Sequence, residues 1–286
     1  MGNLPARDRL GKYLERPPGL DKSMTYFKFL QVFIFLPILV FLFISWRDER
    51  KGLQISGFKN GRAIWYAIAV HLILAVLYTS PWDNYLVATG VWYYEPALIM
   101  GKVIGYVPIE EYTFFIVETL LAGLWWWFLA RRIFPPVTFK QSARMRIITT
   151  LILTGFWIIS LGLFISGWPP ATYLAITLTW ALPPIGLQLA FGADIIWKHW
   201  KLVLLTILPM TIYLSLVDSL AITSGTWTIA PSQSTGFFFG NLPIEEAIFF
   251  LLTNMLIGFG MTLLLADESE IRYHEILTRP STHHTS

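Results

Sequence analysis

Apolar positions along the chain gather into seven runs, at about 26–46, 62–80, 108–130, 146–167, 171–193, 201–222 and 243–265. Each is close to the roughly 20 residues that a helix needs to cross a bilayer. The pattern predicts an all-α integral membrane protein with seven transmembrane helices. Pro37, Pro183, Pro184 and Pro209 fall inside these runs. In a membrane bundle, donors on neighbouring helices can take up the carbonyls that such prolines leave free. The runs are followed by "WRDERKG" after the first and by a polar stretch after the last.

Polar residues interrupt the pattern in a repeated way. "GYVPIEEYTFF" at 105–115 and "GNLPIEEAIFF" at 240–250 both place two adjacent glutamates at the mouth of an apolar run. An offset of 135 residues separates Pro108 from Pro243, and it also aligns "DNYLVATGVW" at 83–92 with "DSLAITSGTW" at 218–227. Asp83 pairs with Asp218, Trp92 with Trp227, Phe114 with Phe249 and Phe115 with Phe250, without a gap from Tyr78/Tyr213 to Gly123/Gly258. This predicts two three-helix units, 26–130 and 171–265, with the motif loop between the second and third helix of each. Residues 131–170 supply a connector with helix 4. Corresponding helices lie four spans apart, so the units are parallel repeats about an axis along the membrane normal. Both acidic clusters then face one side and can converge on one cavity.

A single Pro-Ile-Glu-Glu is explained by helix-start preferences, since Pro fits the first turn and Glu complements the dipole there. Its recurrence with an upstream Asp favours a functional site, because acids in spanning regions are costly and usually face a bundle interior. Neighbouring helical residues point about 100° apart. One glutamate of each pair, Glu110 or Glu111 and Glu245 or Glu246, therefore faces the cavity while the other makes a supporting contact. Glu118 lies seven residues beyond Glu111, on nearly the same face, and its repeat counterpart is Thr253. His71, opposite Thr206 in the repeat, is most simply a hydrogen bonder between helices.

Composition agrees with the pattern. Hydrophobic residues make up 55% of 286 and charged residues only 14%, with mean hydropathy +0.57; soluble domains are roughly 25% charged. The absence of cysteine excludes disulfides, thiol nucleophiles and thiolate metal sites. A net charge of +3, carried in loops, gives no reason to expect nucleic-acid binding. Lys/Arg-rich loops 47–61 and 131–146 favour placing the glutamate-bearing loops opposite the cytoplasm, although the basic N-terminal arm argues the reverse. Residues 1–25 read as a flexible or interfacial arm and 266–286 as a polar tail. The 13 Trp, 12 Tyr and 21 Phe mostly suit the interfacial belts. Those near the acids suit another use, because aromatic faces attract cations most strongly away from water. A carboxyl kept from water can stay protonated. Acids among aromatics thus fit proton-started carbocation chemistry.

On these motifs, "PWDNYLVATGVW…VPIEEYTFF" and "LVDSLAITSGTW…LPIEEAIFFLLTN", the chain resembles the integral-membrane lycopene cyclase family over nearly all of residues 26–265. That family includes bacterial two-subunit cyclases, their fused single-chain forms and the cyclase half of fungal fusions with phytoene synthase. With no synthase domain following, the fused bacterial form is expected. The resemblance implies cyclisation of the ends of lycopene or a related linear carotenoid to β-ionone rings, with no net redox and no cofactor or metal. It implies Glu110, Glu111, Glu245 and Glu246 as proton donor and acceptor, with Asp83 and Asp218 tuning or relaying protons. Trp92, Trp227, Phe114, Phe249 and Glu118 are expected to line the substrate. The bilayer, expected to be that of a bacterial cell membrane, and other carotenoid-pathway enzymes are the expected partners. Alternatives are a cyclase of another linear terpene or a proton-coupled small transporter. A diphosphate-dependent prenyl transferase would need an Asp-rich run, and a retinal protein a lysine in 243–265; neither is present.

Overall fold

The computed structural model describes residues 24–135 and 138–278. Calls on residues 1–23 and on the tail beyond Thr278 lie outside the described residues. Seven helices are long and apolar enough to span a membrane: α1 (Tyr26–Arg50), α2 (Arg62–Ala88), α3 (Ile109–Ala130), α4 (Ala143–Ile165), α5 (Thr172–Lys198), α6 (Trp200–Ser224) and α7 (Ile244–Leu265). A short α8 (Asp267–Thr278) follows. Helices α3 and α7 are the most enclosed, with about 72% of their apolar windows buried. They form the centre of the bundle, flanked by α2, α6, α1 and α5, while α4 packs along α5 and presents most of its surface outward.

The helix prolines explain several packing contacts. Proline lacks the N–H that would bond the carbonyl four residues earlier. In α1, Pro37 frees the carbonyl of Phe33, which accepts from Tyr213 Oη on α6 at 2.6 Å. In α5, the carbonyl before Pro184, that of Trp180, accepts from Tyr78 Oη on α2 at 2.9 Å. The carbonyl before Pro183, that of Thr179, accepts from Trp157 Nε1 on α4 at 3.2 Å. In α6, Pro209 frees Leu205, whose carbonyl accepts from Trp125 Nε1 on α3 at 3.0 Å. An aromatic donor from a neighbouring helix thus fills each of these four gaps.

Three short antiparallel ribbons close one end. Strand β1 (Trp92–Tyr94) pairs with β4 (Trp227–Ile229), placing Trp92 opposite Ile229 and Tyr94 opposite Trp227. Strands β2 (Val103–Ile104) and β3 (Val107–Pro108) form a hairpin leading into α3, and β5 (Phe238–Phe239) and β6 (Leu242–Pro243) form another leading into α7. Each has a two-residue turn whose first residue is glycine, Gly105 (φ 66°) or Gly240 (φ 61°). Such a turn requires φ > 0 at that place. The hairpins deliver Pro108 and Pro243 as extended residues directly before the helices.

Two differences from the sequence pattern matter for the site. Helix α2 continues past residue 80 to Ala88, through Pro81, so Asp83 sits in its last turns and not in a loop. The stretch read as a polar tail begins with α8, which is docked against the end of the bundle remote from the glutamates. Arg272 of α8 makes a two-pronged contact with Asp194, both bonds at 2.8 Å, and Asp194 also accepts from Arg146 at 2.9 Å. Glu268 of α8 accepts from Lys198 and, at 3.2 Å, from His199 Nε2.

Glu268 should make this docking pH-dependent. Burial pushes its carboxyl up, but the His199 and Lys198 hydrogen bonds outweigh burial and hold it at about 2. A folded-state value below the unfolded one gives stability that is complete above about pH 4.5 and is lost as pH falls towards about 2. Wild type should therefore melt above Glu268→Gln at about pH 5, and the gap should narrow by about pH 3. A gap independent of pH would remove Glu268 from this role.

Candidate functional site

The first turns of α3 and α7 lie side by side under the β1–β4 ribbon. Between them is a cavity lined by Glu111 and Phe114 of α3, Glu246, Phe249 and Phe250 of α7, Asp218 and Leu214 of α6, Tyr26 and Phe29 of α1, and Trp92, Tyr94 and Trp227 of the ribbon. Its free volume is about 30 Å³, above the roughly 10–15 Å³ of such space that one water needs. The ring of Trp227 packs on Tyr26 at 4.8 Å and on Phe29 at 5.0 Å between centroids.

The two glutamates of each pair point in different directions, as the helical angle requires. Glu111 Oε2 accepts from Tyr26 Oη at 2.6 Å and from Tyr94 Oη at 3.0 Å. Glu246 Oε1 accepts from Tyr173 Oη at 2.8 Å. Burial and the Glu111 carboxyl hold the Tyr94 phenol well above its ordinary value, which keeps it a donor. Glu110 and Glu245 turn away to the preceding loops. Glu110 Oε1 accepts from the Met100 N–H at 2.6 Å. Glu245 Oε1 accepts from the Thr235 N–H at 2.6 Å and from the Thr235 hydroxyl at 2.7 Å. These outward glutamates tie down the loops that carry the hairpins.

The aspartates are both buried but differ in their contacts. Asp218 Oδ1 accepts from Trp227 Nε1 at 2.8 Å. Neither oxygen of Asp83 has a protein partner, nor does the Nε1 of Trp92. Glu118 lies outside the acid cavity, deeper along α3, where it accepts from Thr253 Oγ1 at 3.1 Å. The repeat counterparts 118 and 253 therefore touch. Among the described residues, none of the seven acids Asp83, Glu110, Glu111, Glu118, Asp218, Glu245 and Glu246 forms an ion pair; the ion pairs present involve other carboxylates. No group of three His, Cys, Asp or Glu suitable for a metal is found among the described residues.

Sequence reasoning missed the phenols. Tyr26 of α1 holds Glu111 and Tyr173 of α5 holds Glu246, yet the two tyrosines are 147 residues apart and fall out of register with the 135-residue offset. Allowing a 12-residue gap upstream of Tyr78 would have aligned them, together with Pro37 and Pro184. Tyr94, two residues after the repeated Trp, has no matching tyrosine at the 135-residue offset, where Ile229 stands.

A seven-helix membrane bundle with an aromatic cavity and two buried, phenol-held glutamates defines a class of intramembrane protein with a carboxyl-lined site inside the bundle. The model of the family described as lycopene cyclase matches residues 21–129 and 170–264. The chain belongs to that family. A lycopene beta-cyclase of Halobacterium salinarum is 35% identical over 213 residues, covering 74% of this chain and 87% of the relative. The bifunctional lycopene cyclase/phytoene synthase of Leptosphaeria maculans is 37% identical over 258 residues, covering 85% of this chain and 41% of the relative. That of Podospora anserina is 35% identical over 201 residues, covering 67% and 34%. The chain thus spans well under half of these fungal proteins. No solved structure matches the chain.

Proposed function

We propose that the protein is a membrane enzyme that cyclises the ends of lycopene to β-ionone rings, giving γ-carotene and then β-carotene, with Glu111 and Glu246 as the acid–base pair. The observation that carries the assignment of roles is that these two glutamates face one aromatic cavity, each held by a buried phenol and neither given a cation. Burial without a cation favours the proton-bearing form of a carboxyl, which is the form a general acid requires. The acid adds its proton to the terminal double bond. The electron pair of the next double bond closes the ring on the tertiary cation, and a neighbouring carbon then gives up a proton to a carboxylate. One proton is gained and one lost, so product and substrate are isomers. Trp92, Trp227, Phe114 and Phe249 present ring faces to the cation. Glu110 and Glu245 position the hairpins, and Asp83 and Asp218 lie in the next layer as candidates for proton relay.

The same reading takes the chain as two parallel three-helix units with α4 as connector. Matching contacts support it: Tyr26–Glu111 with Tyr173–Glu246, the Met100 amide on Glu110 with the Thr235 amide on Glu245, and Tyr213–Phe33 with Tyr78–Trp180. The antiparallel pairing of β1 with β4 is the arrangement a two-fold axis through the ribbon gives. We place the enzyme in a prokaryotic cell membrane, with a bacterial one as the proposal beside the haloarchaeal relative. Expression in bacteria that accumulate lycopene, with pigments separated by chromatography, tests the function. Ringed products are expected; unchanged lycopene beside folded protein would overturn it.

A further inference from the structure

The acid cavity has a free volume of only about 30 Å³, so a polyene whose end reacts there needs a second space for its body. Beside the cavity, α2, α3, α5 and α7 enclose a mostly apolar cleft with a free volume of about 200 Å³. Its outer rim includes Leu74 and Tyr78, both exposed on the lipid-facing surface of α2, and its floor includes Ala75, Leu256 and Ile257. Phe249 lines both spaces. The ring of Phe249 is stacked on Trp82 at 5.4 Å, Trp82 on Trp180 at 4.8 Å, and Trp180 on Tyr78 at 5.7 Å. A column of near-parallel rings therefore runs from the lipid rim to the acid cavity.

Building on the cyclase reading, we infer that this α2–α5 cleft is the lateral port of the enzyme: the polyene enters from the bilayer through it, lies along the ring column, and passes its end group by Phe249 to Glu111 and Glu246. Most polar groups in the cleft are bonded within the protein, while Gln188 Oε1 has no protein partner. Glu118 accepts from Thr253, His71 Nδ1 is bonded to the Ala67 carbonyl at 2.7 Å, and Gln188 Nε2 donates to the Leu256 carbonyl at 2.9 Å. A second apolar cleft lies on the other side of the bundle, between α1, α3 and α6, and includes Phe41, Leu121 and Met210. Met210 occupies the place that Ala75 has in the first unit, 135 residues apart. That cleft is larger, about 290 Å³, but shares no lining residue with the acid cavity. Continuity, not size, selects the α2–α5 side.

The test uses full-length protein in lipid vesicles loaded with lycopene. Ala75→Trp fills the port and Met210→Trp fills the opposite cleft. Ala75→Trp should lower kcat/KM by about tenfold or more, mainly through KM, as expected for lost access of substrate. Met210→Trp should stay within about twofold of wild type on the same argument. Wild-type kcat/KM in Ala75→Trp, or a loss confined to Met210→Trp, would overturn the port and leave the cyclase reading standing. Wild type that forms no rings at all would overturn both. Because a large side chain can cost folding, a second measurement stands beside the first. The chain has no cysteine, so Ala75→Cys and Phe41→Cys each carry a single thiol. Lycopene should slow alkylation by N-ethylmaleimide at Ala75→Cys and leave Phe41→Cys unchanged. Equal rates with and without lycopene at Ala75→Cys, or protection only at Phe41→Cys, would overturn the port.

Discussion

Glu111→Gln and Glu246→Gln should each reduce ring formation by about 10²–10⁴-fold or more, the usual contribution of a positioned acid or base, while the protein remains folded. Glutamine keeps the size of the side chain and an oxygen that can accept from Tyr26 or Tyr173, but it has no acid proton to give. Glu110→Gln and Glu245→Gln provide the contrast. Their Oε1 atoms serve as acceptors for the Met100 and Thr235 N–H groups, and an amide oxygen can serve there equally. These variants should keep activity within about an order of magnitude, since an acceptor is retained for each N–H and one such hydrogen bond is worth roughly 1 kcal/mol. Chromatography of products from purified variants in vesicles measures both. Full activity in Glu111→Gln and Glu246→Gln, with loss in Glu110→Gln and Glu245→Gln, would reverse the assignment.

The largest expected effect on stability lies at the opposite end of the bundle. Asp194→Ala should destabilise the fold by about 3–5 kcal/mol, the range for breaking a buried pair by removing one partner. Asp194 and Arg272 are both nearly inaccessible, at 4% exposure each. Removing the carboxylate leaves the Arg272 guanidinium buried with only the Phe191 carbonyl, at 2.6 Å, and withdraws the anchor of Arg146 and of the Ser142 N–H. Arg146→Ala should cost less, since Arg146 is partly solvated and Asp194 retains Arg272 and Ser142. Unfolding in a defined detergent orders the two. Below the melting transition, Asp194→Ala should still give the wild-type ratio of one-ringed to two-ringed product, because the network is remote from Glu111 and Glu246.

Much of this site was legible in the sequence because the repeat doubled every weak signal. One Pro-Ile-Glu-Glu is a helix start; two at the same offset as two Asp and two Trp mark an arrangement. The orientation of each glutamate was not legible. Glu110 and Glu111 both lie in a first turn, and only the positions of the Met100 and Thr235 amides decide which one is held by a loop. Tyr26 and Tyr173 escaped because helix 1 and helix 5 are reached through linkers of different length, so a constant offset loses them. Asp83 was read as loop because Pro81 and the polar residues after it end the apolar run, yet helix α2 continues through that proline. The prolines at 37, 183, 184 and 209 were legible as sites needing donors, but the donors themselves come from other helices and follow from packing.

The most direct test of the central claim is the mass of the rings formed in heavy water. Wild-type protein in vesicles, equilibrated in deuterium oxide and given unlabelled lycopene, should yield rings that each carry one deuterium, at the carbon that receives the acid proton. Product mass should otherwise equal that of the substrate. Ringed product with no deuterium would contradict an exchangeable carboxylic acid as the source of the initiating proton.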